Sequence, residues 1–203
     1  MDIRQYKKQA LRWLAIFAIL LPCTAISQDT LPHWKILPDK SSIEWTAIYA
    51  GKEIKGTFPD FSSDIIFSPD HLDASKVGIK IVIENLKSSD KDAQDSLLSL
   101  DWFAVSKFPI ATFETTAFRH IKDDNYEADG NLTIRDKTVK ITLPFTLKFF
   151  EDGDTAPSTR YARVTGETII KRVDFGVGQG DWQKTDVIAN DVKVSVKIEA
   201  KAY

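Results

Sequence analysis

The stretch DVKVSVKIEAKAY, Asp191–Tyr203, alternates apolar and polar side chains more cleanly than any other part of the 203-residue chain. One face carries Val192, Val194, Val196 and Ile198, and the opposite face carries Lys193, Ser195, Lys197 and Glu199. A period of two is typical of a β-strand with one buried and one solvated face. The stretch therefore predicts a strand of antiparallel sheet.

The same alternation recurs along most of the sequence. It is clear in SIEWTAIY (Ser42–Tyr49), KVGIKIVIENL (Lys76–Leu86) and KTVKITLPFTLKFF (Lys137–Phe150). Strands that recur at intervals of roughly 10 to 15 residues favour a barrel or a sandwich. Only SSDKDAQDSLLSL, Ser88–Leu100, has helical character, with Ser and Asp as candidate caps. We therefore expect one all-β domain with a short helical insertion.

The N-terminus has the pattern of a secretory signal peptide. A basic start is followed by the apolar run LAIFAILL (Leu14–Leu21) and by small residues at Ala25 and Ser27. We expect cleavage after Ser27, which gives a signal peptide at 1–27, a domain at 28–203 and a periplasmic or secreted location. An uncleaved membrane anchor and a lipid-modified Cys23 are the alternatives.

Charge and histidine spacing argue against two classes of partner. The formal net charge is −2 and no basic stripe stands out, so nucleic acid is not an expected ligand. His33, His71 and His120 are far apart in sequence, and residues 28–203 contain no cysteine. A zinc site requires several ligands at short spacings, so we predict surface histidines and no metal.

Catalytic motifs are weak. The chain has no G-x-S-x-G elbow, and GVGQG (Gly176–Gly180) is followed by no helical pattern, which indicates a glycine-rich turn. Carboxylate pairs leave little trace in a sequence, so a hydrolase that uses Asp92, Asp95, Asp101 or Asp174 stays an alternative. The remaining signal is aromatic and aliphatic bulk on most strands, which a filled protein core explains equally well.

Several motifs in order resemble a known family. They are WKILPDKSSIEWTA (34–47), the block from Ile54 to Ser88, DWFAVSKFPIATFET (101–115), ADGNLTIRDKTVKITLPF (128–145), RVDFGVG (172–178) and NDVKVSVKIEA (190–200). Together they resemble the YceI-like family of lipid- and polyisoprenoid-binding proteins over about Trp34 to Ala200. DWFAVSKFPIATFET, for example, is similar to the family signature D-[FW]-F-x₄-[YF]-P-x-[AI]-x-F.

The resemblance implies an eight-stranded antiparallel barrel of lipocalin-like shape, exported, with an elongated apolar cavity. It further implies a non-enzymatic carrier that requires no cofactor and binds a long apolar lipid, either a polyisoprenoid or an isoprenoid quinone. From alternation and family shape we predict which residues line the ligand cavity. They are Trp45, Phe58, Ile81, Ile83, Trp102, Phe103, Phe108, Phe113, Phe145, Val194 and Val196. Phe103 and Phe108 are expected near the mouth.

One departure from the family pattern concerns the segment before Asp101. Many members carry R-D-x-H-L there, whereas this chain has KDAQDSLLSLDWF, in which Asp92 can match the family Asp and no His is present. Any contact of that His with a ligand head group is therefore in doubt here. A membrane or redox partner, a pairing of two barrels, and a structural or stress-response barrel without ligand stay open as alternatives.

Overall fold

The computed structural model describes residues 31–151 and 160–203. The signal-peptide prediction and Cys23 lie outside these described residues. The strands are β1 (His33–Ile36), β2 (Ser42–Tyr49), β3 (Lys52–Thr57), β4 (Phe61–Ile66), β5 (Lys76–Val82), β6 (Lys87–Ser88), β7 (Ile110–Lys122), β8 (Asn125–Ile134), β9 (Lys137–Phe150), β10 (Tyr161–Lys171) and β11 (Asp191–Ala202). The helix α1 spans Lys91–Leu98, and 3₁₀ turns occupy Pro38–Lys40, Arg172–Phe175 and Gly180–Gln183.

The sheet closes into an antiparallel barrel. Neighbouring strands follow the order β1-β4-β5-β7-β8-β9-β10-β11, and β11 pairs with β1 to complete the ring. Eight strands enclose an interior just wide enough for side chains or one slender ligand. The prediction of an eight-stranded antiparallel barrel with a short helical insertion is confirmed.

The first three strands of the ring are each broken in two. β1 and β2 share one edge of β11, on either side of the 3₁₀ turn Pro38–Lys40. β2 then pairs with β3, and β3 pairs with the short β6, while β1 pairs with β4 and β4 with β5. The segments β2, β3 and β6 therefore form a second run of paired strands that starts from β11.

The hydroxyl of Ser41 repairs the break between β1 and β2. Its Oγ accepts a hydrogen bond from the Glu199 N–H at 3.0 Å and donates to the Leu37 carbonyl at 2.8 Å. The Leu37 N–H in turn donates to the Glu199 carbonyl at 2.8 Å. Backbone groups that the turn would leave without partners are therefore satisfied, as buried polar groups generally must be.

A second irregularity lies between β9 and β10. Their ladder runs from Tyr161↔Phe150 to Gly166↔Phe145 and then stops, although β9 stays paired with β8 as far as Lys137. The Thr142 carbonyl still accepts from the Thr168 hydroxyl at 3.0 Å, so alternate residues of β9 face β10. Pro144 occupies one of these facing positions and has no N–H to donate, which explains why the ladder ends there.

The helix α1 begins at an acidic cap and is hydrogen-bonded to the segment that precedes it. Asp90 accepts a hydrogen bond from the Ala93 N–H at 3.0 Å, a standard N-cap that satisfies a free backbone donor. Gln94 fixes the helix to the preceding strand by donating to the Leu86 carbonyl and accepting from the Ser88 N–H. The predicted helix Ser88–Leu100 is therefore shorter in the structure. Among residues 31–151 and 160–203, no helix has the length and apolar character needed to cross a bilayer.

Candidate functional site

The barrel interior contains two apolar chambers arranged along its length. The upper chamber has a volume of about 200 Å³ and is built by β1, β2, β4, β5, and β7 to β11. Apart from Thr115 and Thr168 its wall is hydrocarbon: Trp34, Ile43, Ile65, Phe67, Val77, Ile79, Ile81, Phe113, Phe118, Ala128, Leu132, Ile141, Leu143, Phe145, Leu147, Phe149, Ala162, Val164, Val194, Val196, Ile198 and Ala200.

The lower chamber has a volume of about 120 Å³ and lies toward α1. Its wall is apolar except for Arg172: Ile43, Trp45, Ala47, Phe58, Ile81, Ile83, Leu97, Trp102, Phe103, Ala111, Leu132, Ile134, Ile170, Phe175, Val177, Ile188, Val192 and Val194. Apolar cavities of about 150 Å³ are known to stay dry and to bind small hydrocarbons. The two chambers therefore favour an apolar guest over water.

Four residues belong to the walls of both chambers and form the waist between them: Ile43, Ile81, Leu132 and Val194. They come from β2, β5, β8 and β11, which are spread around the ring. Because all four are aliphatic, a side-chain rotation at the waist exposes no polar group. The partition between the two chambers is therefore entirely aliphatic.

Aromatic rings pack at the far end of the upper chamber. Phe67 makes edge-to-face contacts with Phe118 at 5.1 Å and with Phe145 at 6.5 Å between ring centroids. Tyr126 stacks on Phe145 at 5.6 Å, and burial raises the pKa of its phenol. Trp34 packs here as well and donates its indole N–H to the Phe67 carbonyl at 2.9 Å. This end is held by ring packing, with the tryptophan donor satisfied.

Two loops close the lower chamber, and we call residues 99–109 and 172–183 together the clasp. The Asp101 carbonyl accepts hydrogen bonds from the Gly178 N–H at 2.9 Å and the Gln179 N–H at 2.7 Å. Arg135 donates from Nη1 to the carbonyls of Trp102 at 2.5 Å and Gly176 at 2.7 Å, so it holds one loop against the other. The floor of the barrel is therefore fixed by polar contacts between backbones.

Arg172 is the buried cation of this floor, with 3% of its surface exposed. Its guanidinium donates to four backbone carbonyls at 2.9–3.1 Å, those of Val177, Lys184, Ile188 and Ala189. Its charge lies 5.6 Å from the ring centroid of Trp102, and burial lowers the pKa of the guanidinium. Gly178 has φ +82° and a Cβ there would collide with Nη1, so the loop can wrap the guanidinium only with glycine at this position.

The structure brings most of the predicted ligand residues together. Ten of the eleven lie on chamber walls: Trp45, Phe58, Ile83, Trp102 and Phe103 in the lower chamber, Phe113, Phe145 and Val196 in the upper one, and Ile81 and Val194 at the waist. Phe108 belongs to neither wall and instead lies under the guanidinium of Arg135, 5.7 Å from it. Whether these residues touch a ligand stays a prediction.

Sequence reasoning missed several wall residues. Trp34 lies on β1, which has only four residues and is too short for a period of two to show. Phe67 follows the end of β4. Phe149 lies on a strand that the alternation did predict, but it was not among the predicted ligand residues. Arg172 stands inside the quoted motif RVDFGVG, but an arginine in a sequence indicates a surface residue unless its acceptors are known.

The geometry gives little support to a hydrolase or a metal site built from the Asp and His side chains. Asp92, Asp95, Asp101 and Asp174 are exposed, and both chambers have walls without a carboxylate among the described residues. The three histidines are exposed as well. Within residues 31–151 and 160–203, no group of three His, Cys, Asp or Glu side chains is placed to hold a metal ion.

The sequence matches one protein family over nearly all of the described region. The profile of the YceI-like domain covers residues 34–200. The chain is 29% identical over 122 residues to the UPF0312 protein of Azotobacter vinelandii and 30% identical over 122 residues to Protein YceI of Salmonella arizonae. Each alignment covers 60% of this chain and 62% of the relative, so the match spans about three fifths of each relative's length.

Solved structures share the fold. BcnA of Burkholderia cenocepacia superimposes with a TM-score of 0.72 and 26% identity, over 81% of this chain and 98% of that one. A polyisoprenoid binding domain from Saccharophagus degradans, implicated in plant cell wall breakdown, superimposes with a TM-score of 0.63 and 11% identity, over 84% and 98% of the two chains. The barrel described above is therefore an architecture already known from experiment.

Proposed function

The chain belongs to the YceI-like domain family, and from that premise we propose that it is an exported, non-enzymatic carrier of one long apolar lipid. The proposed ligand class is a polyisoprenoid or an isoprenoid quinone. One observation carries the proposal: two hydrocarbon-lined chambers lie end to end and share a waist of aliphatic side chains. A slender chain fits this shape better than a compact molecule does.

Burial energetics support useful affinity. Each CH₂ group withdrawn from water contributes about 0.8 kcal/mol. Ten such groups contribute about 8 kcal/mol, which is close to the free energy of a micromolar complex before the cost of association is subtracted. A chain long enough to occupy both chambers buries more groups than this, so binding needs no charged contact.

Two further points support the ligand class and the location. The barrel from Saccharophagus degradans is named for polyisoprenoid binding, although at 11% identity the likeness carries over to this chain only as a suggestion of ligand class. Residues 1–27 have the pattern of a signal peptide, which supports release into the periplasm or medium. Transfer of a lipid between membranes, or to a redox partner, is a task that suits such a location.

Native mass spectrometry tests the proposal directly. The full chain is expressed with its own N-terminus, purified from the periplasm and from the medium without detergent, and measured intact. We expect a mature mass that corresponds to cleavage after Ser27 and a second species heavier by several hundred daltons, which organic solvent extracts.

An empty protein that also fails to take up geranylgeraniol after delipidation would contradict the carrier function and favour a structural barrel. Turnover of sugar or ester substrates that Asp92→Asn or Asp101→Asn abolishes would favour the hydrolase instead. Recovery of the protein only from the cytoplasm, with its first 27 residues attached, would contradict export.

A further inference from the structure

Two tryptophans of the lower chamber carry indole N–H groups without acceptors. Trp45 and Trp102 each have 8% of their surface exposed and both belong to the lower wall. Within residues 31–151 and 160–203, neither Nε1 atom has a hydrogen-bond partner. Trp34 in the upper chamber is buried to a similar degree, yet its Nε1 donates to the Phe67 carbonyl at 2.9 Å.

Unsatisfied buried donors are rare in folded proteins because losing water without gaining an acceptor costs free energy. A single case can reflect local packing. Here two of the same kind line one small chamber, which lies inside the site already proposed to bind a ligand. A ligand acceptor that reaches either indole N–H removes the cost at that position.

The two indoles are also held in place. Trp102 packs on the Arg172 guanidinium at 5.6 Å and on the ring of Trp182 at 5.9 Å, and its carbonyl accepts from Arg135. Trp45 lies against Gly56, where any Cβ would collide with the indole ring. Donors fixed before binding lose little conformational entropy when an acceptor arrives.

We propose that Trp45 and Trp102 recognise an uncharged head group bearing an acceptor oxygen, such as a ketone carbonyl, in the lower chamber. This inference rests on the proposed carrier function and adds an orientation, with the head in the lower chamber and the apolar tail through the waist in the upper one. A diphosphate head fits poorly because the cation on this wall, Arg172, already donates to four backbone carbonyls. Entry of a diphosphate into the lower chamber would also remove water from two or more negative charges, which costs free energy.

Three probes of similar chain type separate the head-group classes in the delipidated full-length protein. They are geranylgeranylacetone, a ketone; squalene, a hydrocarbon without an acceptor; and geranylgeranyl diphosphate. We expect the ketone to bind about tenfold tighter than squalene, and the diphosphate to bind weakest. Trp45→Phe and Trp102→Phe each remove one donor and should reduce the preference for ketone over squalene by about fivefold.

Trp34→Phe is the matched control, since its donor serves the fold. It should change the affinities for ketone and squalene by the same factor. The NMR spectrum of the unmodified protein gives a reading that does not depend on variant folding. The indole N–H resonances of Trp45 and Trp102 should move downfield when the ketone binds, and stay near their unbound positions with squalene.

Equal affinity for ketone and squalene, with indole resonances that respond to both alike, overturns this inference and leaves the carrier function standing. Tightest binding of the diphosphate also overturns it, because that result requires a charged head group. Failure of all three probes to bind contradicts the carrier function itself. The two proposals therefore fail in distinguishable ways.

Discussion

The upper and lower chambers are both lined mainly by apolar side chains but differ in the interactions at their outer ends. Packed rings of Phe67, Phe118 and Phe145 close the upper one, and the indole N–H of Trp34 has its acceptor. The lower one is closed by hydrogen bonds between the two loops of the clasp and by buried Arg172. The head-group recognition proposed above uses the fixed donors of the lower chamber, and the tail is proposed to lie among the packed rings of the upper one.

Replacing Arg172 should have the largest effect among the tests of the difference between the two chambers. Arg172→Met leaves four backbone carbonyls without this donor, two of them in buried and two in partly buried hydrogen bonds, and we expect the free energy of unfolding to fall by about 3–5 kcal/mol. The matched control is Arg160→Met, which removes a guanidinium 5.0 Å from the ring of Phe149 at the upper chamber. It should cost less than about 1 kcal/mol. Urea unfolding measures both, and equal losses would contradict the contrast between the chambers.

A pair of identical truncations tests whether the chambers are true voids. Leu86 is fully buried and lies outside both sets of wall residues, whereas Leu147 faces the upper chamber. Leu→Ala substitutions in cores cost about 2–5 kcal/mol, rising with the cavity they create. Leu86→Ala should fall near the top of this range. Leu147→Ala should fall near the bottom, because its side chain already borders empty space. A larger cost at Leu147, seen by urea unfolding, would mean that the upper chamber is packed in solution.

Blocking the waist separates one continuous site from two separate ones. Val194→Phe adds a ring where both chambers meet, and we expect the affinity for a C40 polyprenol to fall tenfold or more while a C10 alcohol is unaffected. Ile169→Phe adds the same ring on the exposed outer surface and should change neither affinity. Titration calorimetry with both lipids decides the matter. An unchanged affinity for the long chain would mean that it occupies a single chamber.

Acidification should have the smallest effect on stability. It acts on an ion pair on the outer face of the barrel wall around the upper chamber. Hydrogen bonds from Arg119 and Thr142 lower the pKa of Asp129 to about 2. Because the unfolded-state pKa is near 3.9, the stabilisation is complete above about pH 4 and is lost as the pH falls toward 2. Arg172 keeps its proton throughout this range.

Thermal unfolding followed by circular dichroism from pH 5 to pH 2 compares the unmodified protein with Asp129→Asn. The variant should show a slightly smaller decrease in Tm, because it lacks the carboxylate that must be protonated. A decrease of equal size in both proteins would show that this ion pair contributes nothing to the fold.

The period of two made the strands and the inward-facing rows predictable. In a strand with one buried face, apolar side chains that alternate with polar ones point to the interior. Val194 and Val196 could therefore be placed inside the barrel from sequence. Closure could not be derived in this way, since a barrel and a sandwich share the same alternation, and only the family resemblance indicated a barrel. The row in Lys137–Phe150 was correct, although the proline inside it also ends the ladder to β10.

The division into chambers was not predictable from local sequence. Arg172 is buried only because four carbonyls from residues 177 to 189 converge on it, and such convergence has no periodic signature. In the part of the chain that the structure describes, the Nε1 atoms of Trp45 and Trp102 have no acceptor, and such an absence depends on three-dimensional packing rather than on local sequence. Phe108 was expected near the mouth from alternation and family shape; its ring lies against Arg135, outside both chamber walls.

The pairing of β1 with β11 sets when the binding site can come into existence. The seam joins Trp34 to Ala202, almost the full length of the domain apart, and Ser41 bridges it at Glu199. Contacts of such high sequence separation form slowly, because the entropy of closing the whole loop must be overcome first. The ring cannot close until β11 has been synthesised, so β1 has no partner on its β11 side until then. Loading of the proposed lipid into a closed barrel therefore follows completion of the chain.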